Sequence, residues 1–389
     1  MSSHTRYAIL LSGPGQREDV AAGQGPRPDW STLADALGAP LIEGRSAWPR
    51  FATTSGLLAA WAAFRRRNEY DVIISDAERS GLPLALMLKL SGTQRGHVMV
   101  GHWLSPLKKR VLLRWFGGAE TIDRLILKGA TQKRFALEHL GFAAARVEVV
   151  PTAADADFWH PLGLPQSGIC GVGLERRDYP TLVEAVRGLS LRVTIAAASP
   201  WTSHGGVPRR ELPPNVIRRR LDYLGIRELY DRSEFVVVPL VDVDFQAGSL
   251  VIYEAMAMGK AVIVSRTRGH VHGDVVQDGE TGILVPPADP AALREAINRL
   301  HENPTEARRL GANARRIVQG GLNLDAYVRR MARIAREVEA KRSALSSWSG
   351  ITVSPGMPAL SLLTPTASPV GQAADGPSIG PSTPRSVSV

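Results

Sequence analysis

At 389 residues the chain exceeds the length over which one hydrophobic core keeps growing, so two domains are expected. Its single cysteine, Cys170, excludes a disulfide framework and favours a reducing compartment, and no apolar run reaches the roughly 18 to 20 residues of a membrane-spanning helix. The formal charge of +10 is uneven: ten Lys or Arg fall between Lys89 and Arg134 against only Glu120 and Asp123, a patch that attracts nucleic acid, anionic lipid or phosphorylated substrate without choosing among them.

In chain order, the amino terminus runs into one strand-length apolar segment, Tyr7–Leu11, with no small-residue cleavage site behind it, which predicts a cytoplasmic chain rather than a secreted one. Short β-rich runs then alternate with longer helical patterns. The predicted strands are Tyr7–Leu11, Asp71–Ser75, His97–Val100, Arg124–Leu127 and Val147–Val150. The alternation restarts near residue 168 with Gly168–Val172, Arg192–Ala196, Phe235–Pro239, Ala261–Ser265 and Gly282–Val285. Runs apolar on both faces and separated by helices specify parallel sheets covered on both sides. The fold class is therefore α/β, with two Rossmann-like doubly wound domains and a cleft between them, because ligands of such sheets bind beyond the carboxyl ends of the strands. Cys170, inside Ile169-Cys-Gly-Val, reads as packing.

The proline-punctuated segment Pro151–Gln166 marks the join. The predicted division is a first domain over 1–152, a linker over 153–167, a second domain over 168–322, a helix over 323–344 and a tail over 345–389. In the helix, Val328, Met331, Ile334 and Val338 keep helical spacing, which makes the Arg-rich stretch Arg329–Arg342 a solvated face; packing of this helix back onto the first domain is one expectation. The tail is rich in Ser, Pro, Gly, Thr and Ala, with Asp375 and Arg385 its only charges, and is predicted to be disordered.

The segment that carries chemistry is Phe245-Gln-Ala-Gly-Ser-Leu-Val-Ile-Tyr-Glu-Ala-Met-Ala-Met-Gly-Lys260. A small-residue turn opens an apolar helix that Gly259 can end in a left-handed conformation. At the helix start the unpaired N–H groups near Gly248, Ser249 and Leu250, together with the helix dipole, suit a diphosphate. Gln246 offers a donor and an acceptor to a sugar hydroxyl. Glu254, in an otherwise apolar helix, is costly unless something binds it.

This segment resembles the donor domain of the retaining GT-B glycosyltransferases of family four, the glycosyl transferases group 1, whose hallmark is two glutamates separated by seven residues. The resemblance puts Glu254 at the second glutamate, which binds the nucleotide ribose, and Gln246 at the first, where the substitution keeps hydrogen bonding and removes a negative charge. Cys170 to Ala185 is similar to the strand, loop and helix that carry an Arg and a Lys for the diphosphate. Arg177 falls at the lysine position, Gly171 and Val172 fill the arginine's place, and Arg176 is the candidate substitute. Leu229-Tyr230 through Pro239, Gln277 through Pro286 and Val147 through Asp155 match as well, so the resemblance covers roughly residues 120–320. It implies that residues 1–152 bind the acceptor, that 168–322 bind the nucleotide-sugar donor, that the donor is a substrate with no cofactor required, and that transfer proceeds with retention and without a metal.

In the first half, His97-Val-Met-Val-Gly-His102 resembles the family's strand ending in a histidine beside the reacting sugar; a histidine bonded to backbone is the alternative. The turn Ser12-Gly-Pro-Gly-Gln16 makes Gly13 and Gly15 candidate donor contacts, with an ordinary turn as the competing reading. Two Asp-x-Asp triplets, Asp155-Ala-Asp157 and Asp242-Val-Asp244, are the pattern that holds a divalent cation elsewhere, but none is expected here. Lys260 reads as a surface residue. Catalysis is thus expected from His102, Arg177 and Gln246. Residues 103–116 form a basic amphipathic stretch that either touches an anionic membrane peripherally, at its inner face, or packs as an ordinary helix. No nucleic-acid motif accompanies the charge. The acceptor is a saccharide, a small molecule or a lipid-linked group. The competing function is a catalytically impaired sugar-nucleotide-binding or partner-binding protein, suggested by Gln246 and the missing arginine.

Overall fold

A computed structural model describes residues 6–13, 23–44, 55–197, 212–270 and 276–349. The elements of the first half are β1 (Tyr7–Leu11), α1 (Asp29–Leu37), β2 (Leu41–Glu43), α2 (Ser55–Arg65), β3 (Val72–Ser75), α3 (Glu78–Leu90), β4 (Gly96–Gly101), α4 (Leu107–Arg114), β5 (Arg124–Leu127), α5 (Ala130–His139) and β6 (Val147–Val149). The second half continues with β7 (Ile169–Val172), α6 (Tyr179–Ala185), β8 (Val193–Ala196), β9 (Val216–Arg219), α7 (Tyr223–Arg232), β10 (Val236–Val238), α8 (Ser249–Ala257), β11 (Val262–Ser265), β12 (Gly282–Val285), α9 (Pro290–Glu302), α10 (Pro304–Gly321) and α11 (Leu324–Ser349).

The strands form two six-stranded sheets, ordered β2-β1-β3-β4-β5-β6 and β12-β11-β10-β7-β8-β9. Every pairing is parallel. These are the two doubly wound parallel sheets that the alternation of runs implies. Two strands escape the pattern for a physical reason: β2 is three residues long with only Ile42 buried, and β9 is an edge strand of which only Val216 is buried. Neither carries the two-faced apolar run that identifies a central strand. Asp178, Asp222, Asp289 and Asn303 each cap the following helix by accepting from its first backbone N–H groups.

The chain passes between the halves twice, side by side. Ala154 bridges to Asn323, and Leu324 N–H donates to the Ala154 carbonyl at 2.9 Å. Between those points Phe158 and Trp159 bury their rings in the second core, and Asp231 accepts from the N–H groups of Leu162 at 3.0 Å and Leu164 at 2.7 Å. From Leu324 onward α11 lies on the first sheet, with Tyr327, Val328, Met331, Ile334 and Val338 in one core with Tyr7, Ile9, Val72 and Val98. The arginines of α11 are not simply solvated. Arg330 and Arg333 pair with Glu148, and Arg342 reaches the buried Asp123 at 2.9 Å. The helix also runs to Ser349, past the expected end near 344, because neither glycine nor proline interrupts it before Gly350. Residues 350–389, most of the expected tail, lie outside the described residues.

Asp123 is 6 % exposed and also accepts from His97 N–H. Arg342→Ala should therefore cost on the order of 1–3 kcal/mol by leaving a buried carboxylate short of a partner. Arg330→Ala, at an exposed pair, should stay within about 0.5 kcal/mol. Urea denaturation of both variants checks this, and equal losses would show that the Asp123 clamp holds nothing.

Candidate active site

The loop between β7 and α6 and the turn that opens α8 converge on one guanidinium. Arg177 is buried, its Nε donates to the Val172 carbonyl at 3.0 Å and its Nη1 to the Glu175 carbonyl at 2.8 Å. Two glycines make room for it. A β-carbon on Gly173 would lie 2.8 Å from Arg177 Nη2, and one on Gly248 would lie 3.1 Å from Nη1, while both residues hold the positive φ that glycine permits. Gly248 opens α8 with no side chain capping the helix. A permanent cation thus stands beside uncapped backbone N–H groups, both of which favour an anion.

The other predicted donor residues are placed around this point. Gln246 is buried in the turn, and Ser249 spends its hydroxyl on the Gln246 carbonyl at 2.8 Å, which rigidifies the turn. The Leu250 side chain is half exposed at the helix start. Glu254, one turn further on, is buried, and its Oε2 accepts from the Tyr230 hydroxyl at 3.0 Å. Burial pushes the Glu254 carboxyl up to about 8 against the opposing effects of the Tyr230 hydrogen bond and the Arg177 charge. Burial raises the Tyr230 hydroxyl as well. Among the described residues Glu254 has no ion pair, and its hydrogen-bond partner is a neutral hydroxyl.

On the opposing side, β4 ends in the loop that presents His102 and Trp103. Glu78, buried at the start of α3, fixes this loop by accepting from His102 N–H at 3.0 Å, Trp103 N–H at 3.1 Å and Lys109 Nζ at 2.6 Å. Burial works to raise the Glu78 carboxyl, yet His102 and Lys109 hold it below its ordinary value. The His102 ring is exposed, with Nε2 3.0 Å from the Asp76 carbonyl oxygen. A carbonyl only accepts, so Nε2 carries the proton and Nδ1 is left as the acceptor nitrogen. Asp76 in turn takes the Ser12 N–H at 2.9 Å and the Ser12 hydroxyl at 2.6 Å, which puts Gly13 on the His102 side. Gly15 lies outside the described residues.

Trp103 joins the two sides. Its ring lies 5.1 Å from that of Phe245, its Nε1 donates to Asp244 Oδ1 at 3.0 Å, and the Arg176 guanidinium sits 5.2 Å above it. Arg176, with φ of 55°, is therefore turned onto a ring rather than toward the start of α8. Both Asp-x-Asp triplets are occupied: Asp155 and Asp157 by Arg27 at 2.6 and 2.7 Å, Asp242 by Arg268 at 2.9 Å and Asp244 by Trp103. No metal-binding group of three is found among the described residues. Lys260 is buried rather than on the surface: its Nζ donates to the Asp231 carbonyl at 2.6 Å, which sets the helix-to-strand turn against the end of α7. Cys170 is buried in the second core.

Residues 177–303, the stretch from Arg177 through α9, match the family model of the glycosyl transferases group 1. Over that stretch the chain is similar to the glycosyl transferases group 1. It is similar to the MMP alpha-(1->4)-mannosyltransferase of Mycolicibacterium hassiacum, 26% identical over 320 residues that cover 75% of this chain and 76% of that one. It is also similar to the D-inositol 3-phosphate glycosyltransferase of Acidothermus cellulolyticus, 28% identical over 298 residues covering 64% and 63%. Among solved structures, sucrose-phosphate synthase of Thermosynechococcus elongatus superposes with a TM-score of 0.67 at 20% identity, covering 86% of this chain and all of that one. HepE of Anabaena in complex with UDP-glucose gives 0.64 at 15%, covering 85% and 99%. These likenesses give the glycosyltransferase its GT-B fold.

Tyr230, Trp103 and Glu78 are the residues of this glycosyltransferase's cleft that sequence reasoning did not assign. A buried carboxylate needs a donor, so Glu254 was a signal that a partner exists, although not which one. Because the Glu254 carboxyl has a folded value near 8 against an ordinary 4.5, it takes up a proton on folding, and its contribution falls as pH rises from about 4.5 to about 8 and is level beyond. Glu254→Gln should remove this loss, so its melting temperature should gain on the parent between pH 5 and 8. Thermal melts across pH 5–9 check it, and a constant difference would contradict it.

Proposed function

We propose that this glycosyltransferase moves a sugar from a nucleoside diphosphate donor to an acceptor hydroxyl with retention of configuration and without a metal ion. What supports the reading above all is Arg177 against the uncapped start of α8. There the leaving diphosphate gains its charge, and a fixed cation with aligned N–H groups stabilises that charge more in the transition state than in the ground state. Glu254 accepts from the ribose hydroxyls, and Gln246 and His102 orient the sugar. The bond from the anomeric carbon to the phosphate oxygen breaks as the bond to the acceptor oxygen forms on the same face, and the acceptor's proton passes to the departing phosphate. The named relatives differ in what they act on, so the acceptor is not carried over from them.

Screening UDP, GDP, ADP and TDP by thermal shift should reveal one base that stabilises the protein, by about 2.7 kcal/mol at a hundred times its dissociation constant. Arg177→Ala and Glu254→Ala should each reduce that response. No response to any of the four would overturn the donor site. Binding without sugar release or transfer would favour an impaired binding protein, the reading that Gln246 supports.

The reading extends to where the acceptor is met. No helix among the described residues is long and apolar enough to cross a membrane. The α4 region turns Leu104 and Leu113 into the first core, yet leaves Leu107 at 70% exposure and Trp115 at 81% on the outside, followed by Phe116. Lys109 is spent on Glu78, while Lys108, Arg110 and Arg114 remain exposed around these apolar side chains. An apolar, aromatic tip ringed by cations suits an anionic lipid surface. The protein should co-sediment with phosphatidylcholine vesicles containing phosphatidylglycerol, lose binding as salt rises, and lose it in a Trp115→Ser, Phe116→Ser variant. Equal binding by that variant would remove the tip from the interface.

A further inference from the structure

The turn that opens α8 is held through its carbonyl groups. Ser249 Oγ donates to the Gln246 carbonyl at 2.8 Å and Ile252 N–H to the Gly248 carbonyl at 3.0 Å, both from within the turn and the helix. The carbonyl between them, that of the buried Ala247, is taken from outside. His270 is 4 % exposed, and its Nε2 lies 2.8 Å from the Ala247 oxygen. A carbonyl only accepts, so Nε2 carries the proton.

The segment that brings the ring there runs beside the turn. At the end of β11, Ser265 Oγ accepts from Leu240 N–H at 3.0 Å. Arg268 then donates through its backbone N–H and its Nε to the Asp242 carboxylate, each at 2.9 Å, and Gly269 N–H donates to the Val243 carbonyl at 2.8 Å. A β-carbon on Gly269 would collide with the Phe245 carbonyl, so the approach depends on the missing side chain. His270 closes a turn of its own by donating its N–H to the Thr267 carbonyl at 2.9 Å. Backbone groups and Arg268 thus tie the two segments together as far as Val243, and at Ala247 the histidine ring is the link.

That hydrogen bond controls the plane of the Ala247–Gly248 peptide. The bond is trans, so its C=O and N–H point in opposite directions, and an oxygen turned to His270 sends the Gly248 N–H the other way. Residue 248 does not fix this choice by itself, because a glycine accepts either sign of φ; here φ is 77°. Among the described residues no group accepts from the Gly248 N–H. The rotated peptide would replace that N–H by a carbonyl oxygen beside Arg177, and an attraction for anions would become a repulsion.

We propose that His270 is a positioning residue of the donor site: by holding the Ala247 carbonyl it keeps the Gly248 N–H directed at the donor's diphosphate. The proposal rests on the transferase reading above in taking the anion at the start of α8 to be that diphosphate. His270 acts through the peptide and needs no contact with the substrate.

Two substitutions separate the hydrogen bond from the packing of the ring. His270→Phe keeps a buried ring and removes the donor, whereas His270→Gln loses the ring and offers an amide N–H at the same reach. Calorimetric titration of the full chain with UDP, GDP, ADP and TDP should find one diphosphate that binds the parent. His270→Phe should weaken it by about ten- to a hundredfold, as for the loss of one hydrogen bond to a charged group, and His270→Gln should stay within about threefold of the parent. A packing role for the ring predicts the opposite order. Parent-like affinity in His270→Phe, or equal losses in the two variants, would overturn the proposal and leave the donor site standing. A parent that binds none of the four would refute the donor reading itself, and the role of His270 with it.

Discussion

Arg177 is the constraint around which the second half is arranged. Its guanidinium is buried with carbonyl oxygens, not a carboxylate, as its hydrogen-bond partners, and the absence of side chains at Gly173 and Gly248 is what lets it lie against the start of α8. Carbonyl dipoles orient a cation without cancelling it. A positive centre is therefore fixed before any ligand arrives, and a negative charge formed beside it would meet a site that needs no reorganisation. The adjacent carboxyl, Glu254, would spoil this if it were ionised and close. Burial instead keeps it protonated up to about pH 8, against the Tyr230 hydrogen bond and the Arg177 charge, so it does not neutralise the arginine it neighbours. The empty pocket is left with a net positive charge made from an arginine, a helix end and a neutral acid.

The opposing wall depends on a different kind of fixation. Glu78 gathers the N–H groups of His102 and Trp103 together with the Lys109 ammonium, so the loop after β4 is held by one buried carboxylate at the head of α3. This sets where His102 points, and it carries Trp103 to Asp244, Phe245 and Arg176 in the other half. The contact lands one residue before Gln246, in the turn that opens α8. Trp103 thus links the histidine loop to the turn that opens α8.

How much of this could be read from the sequence follows from the range of each interaction. The ten predicted strands rest on local apolar runs and each has its counterpart, with ends moved by a residue or two; β2 and β9 were missed because an edge strand buries little. The turn before α8 was legible because glycine, helix start and following strand are contiguous. Partners far apart in the chain were not. Glu254 announced a need for a donor, but only folding shows it to be Tyr230, and Lys260 looked exposed because its residue type usually is, whereas the Asp231 carbonyl receives it. The Arg-rich face of α11 misled for the same reason: Glu148 and Asp123, which anchor it, lie 185 and 219 residues earlier.

The distribution of charge separates two uses of burial within one chain. Asp155 with Arg27, and Asp123 with Arg342, are low-exposure carboxylates that meet a guanidinium within 3 Å, so attraction offsets desolvation and the pair joins distant segments. Among the described residues, Arg177, Glu254 and Lys128 are buried without a partner of opposite charge at that range. Folding alone gives no reason to retain such groups, since an apolar side chain of similar size would cost less. They stand at the carboxyl ends of the two sheets, where doubly wound folds bind ligands. The stability that the core supplies is thus partly spent at these ends, on buried cations and on a carboxyl that burial holds neutral.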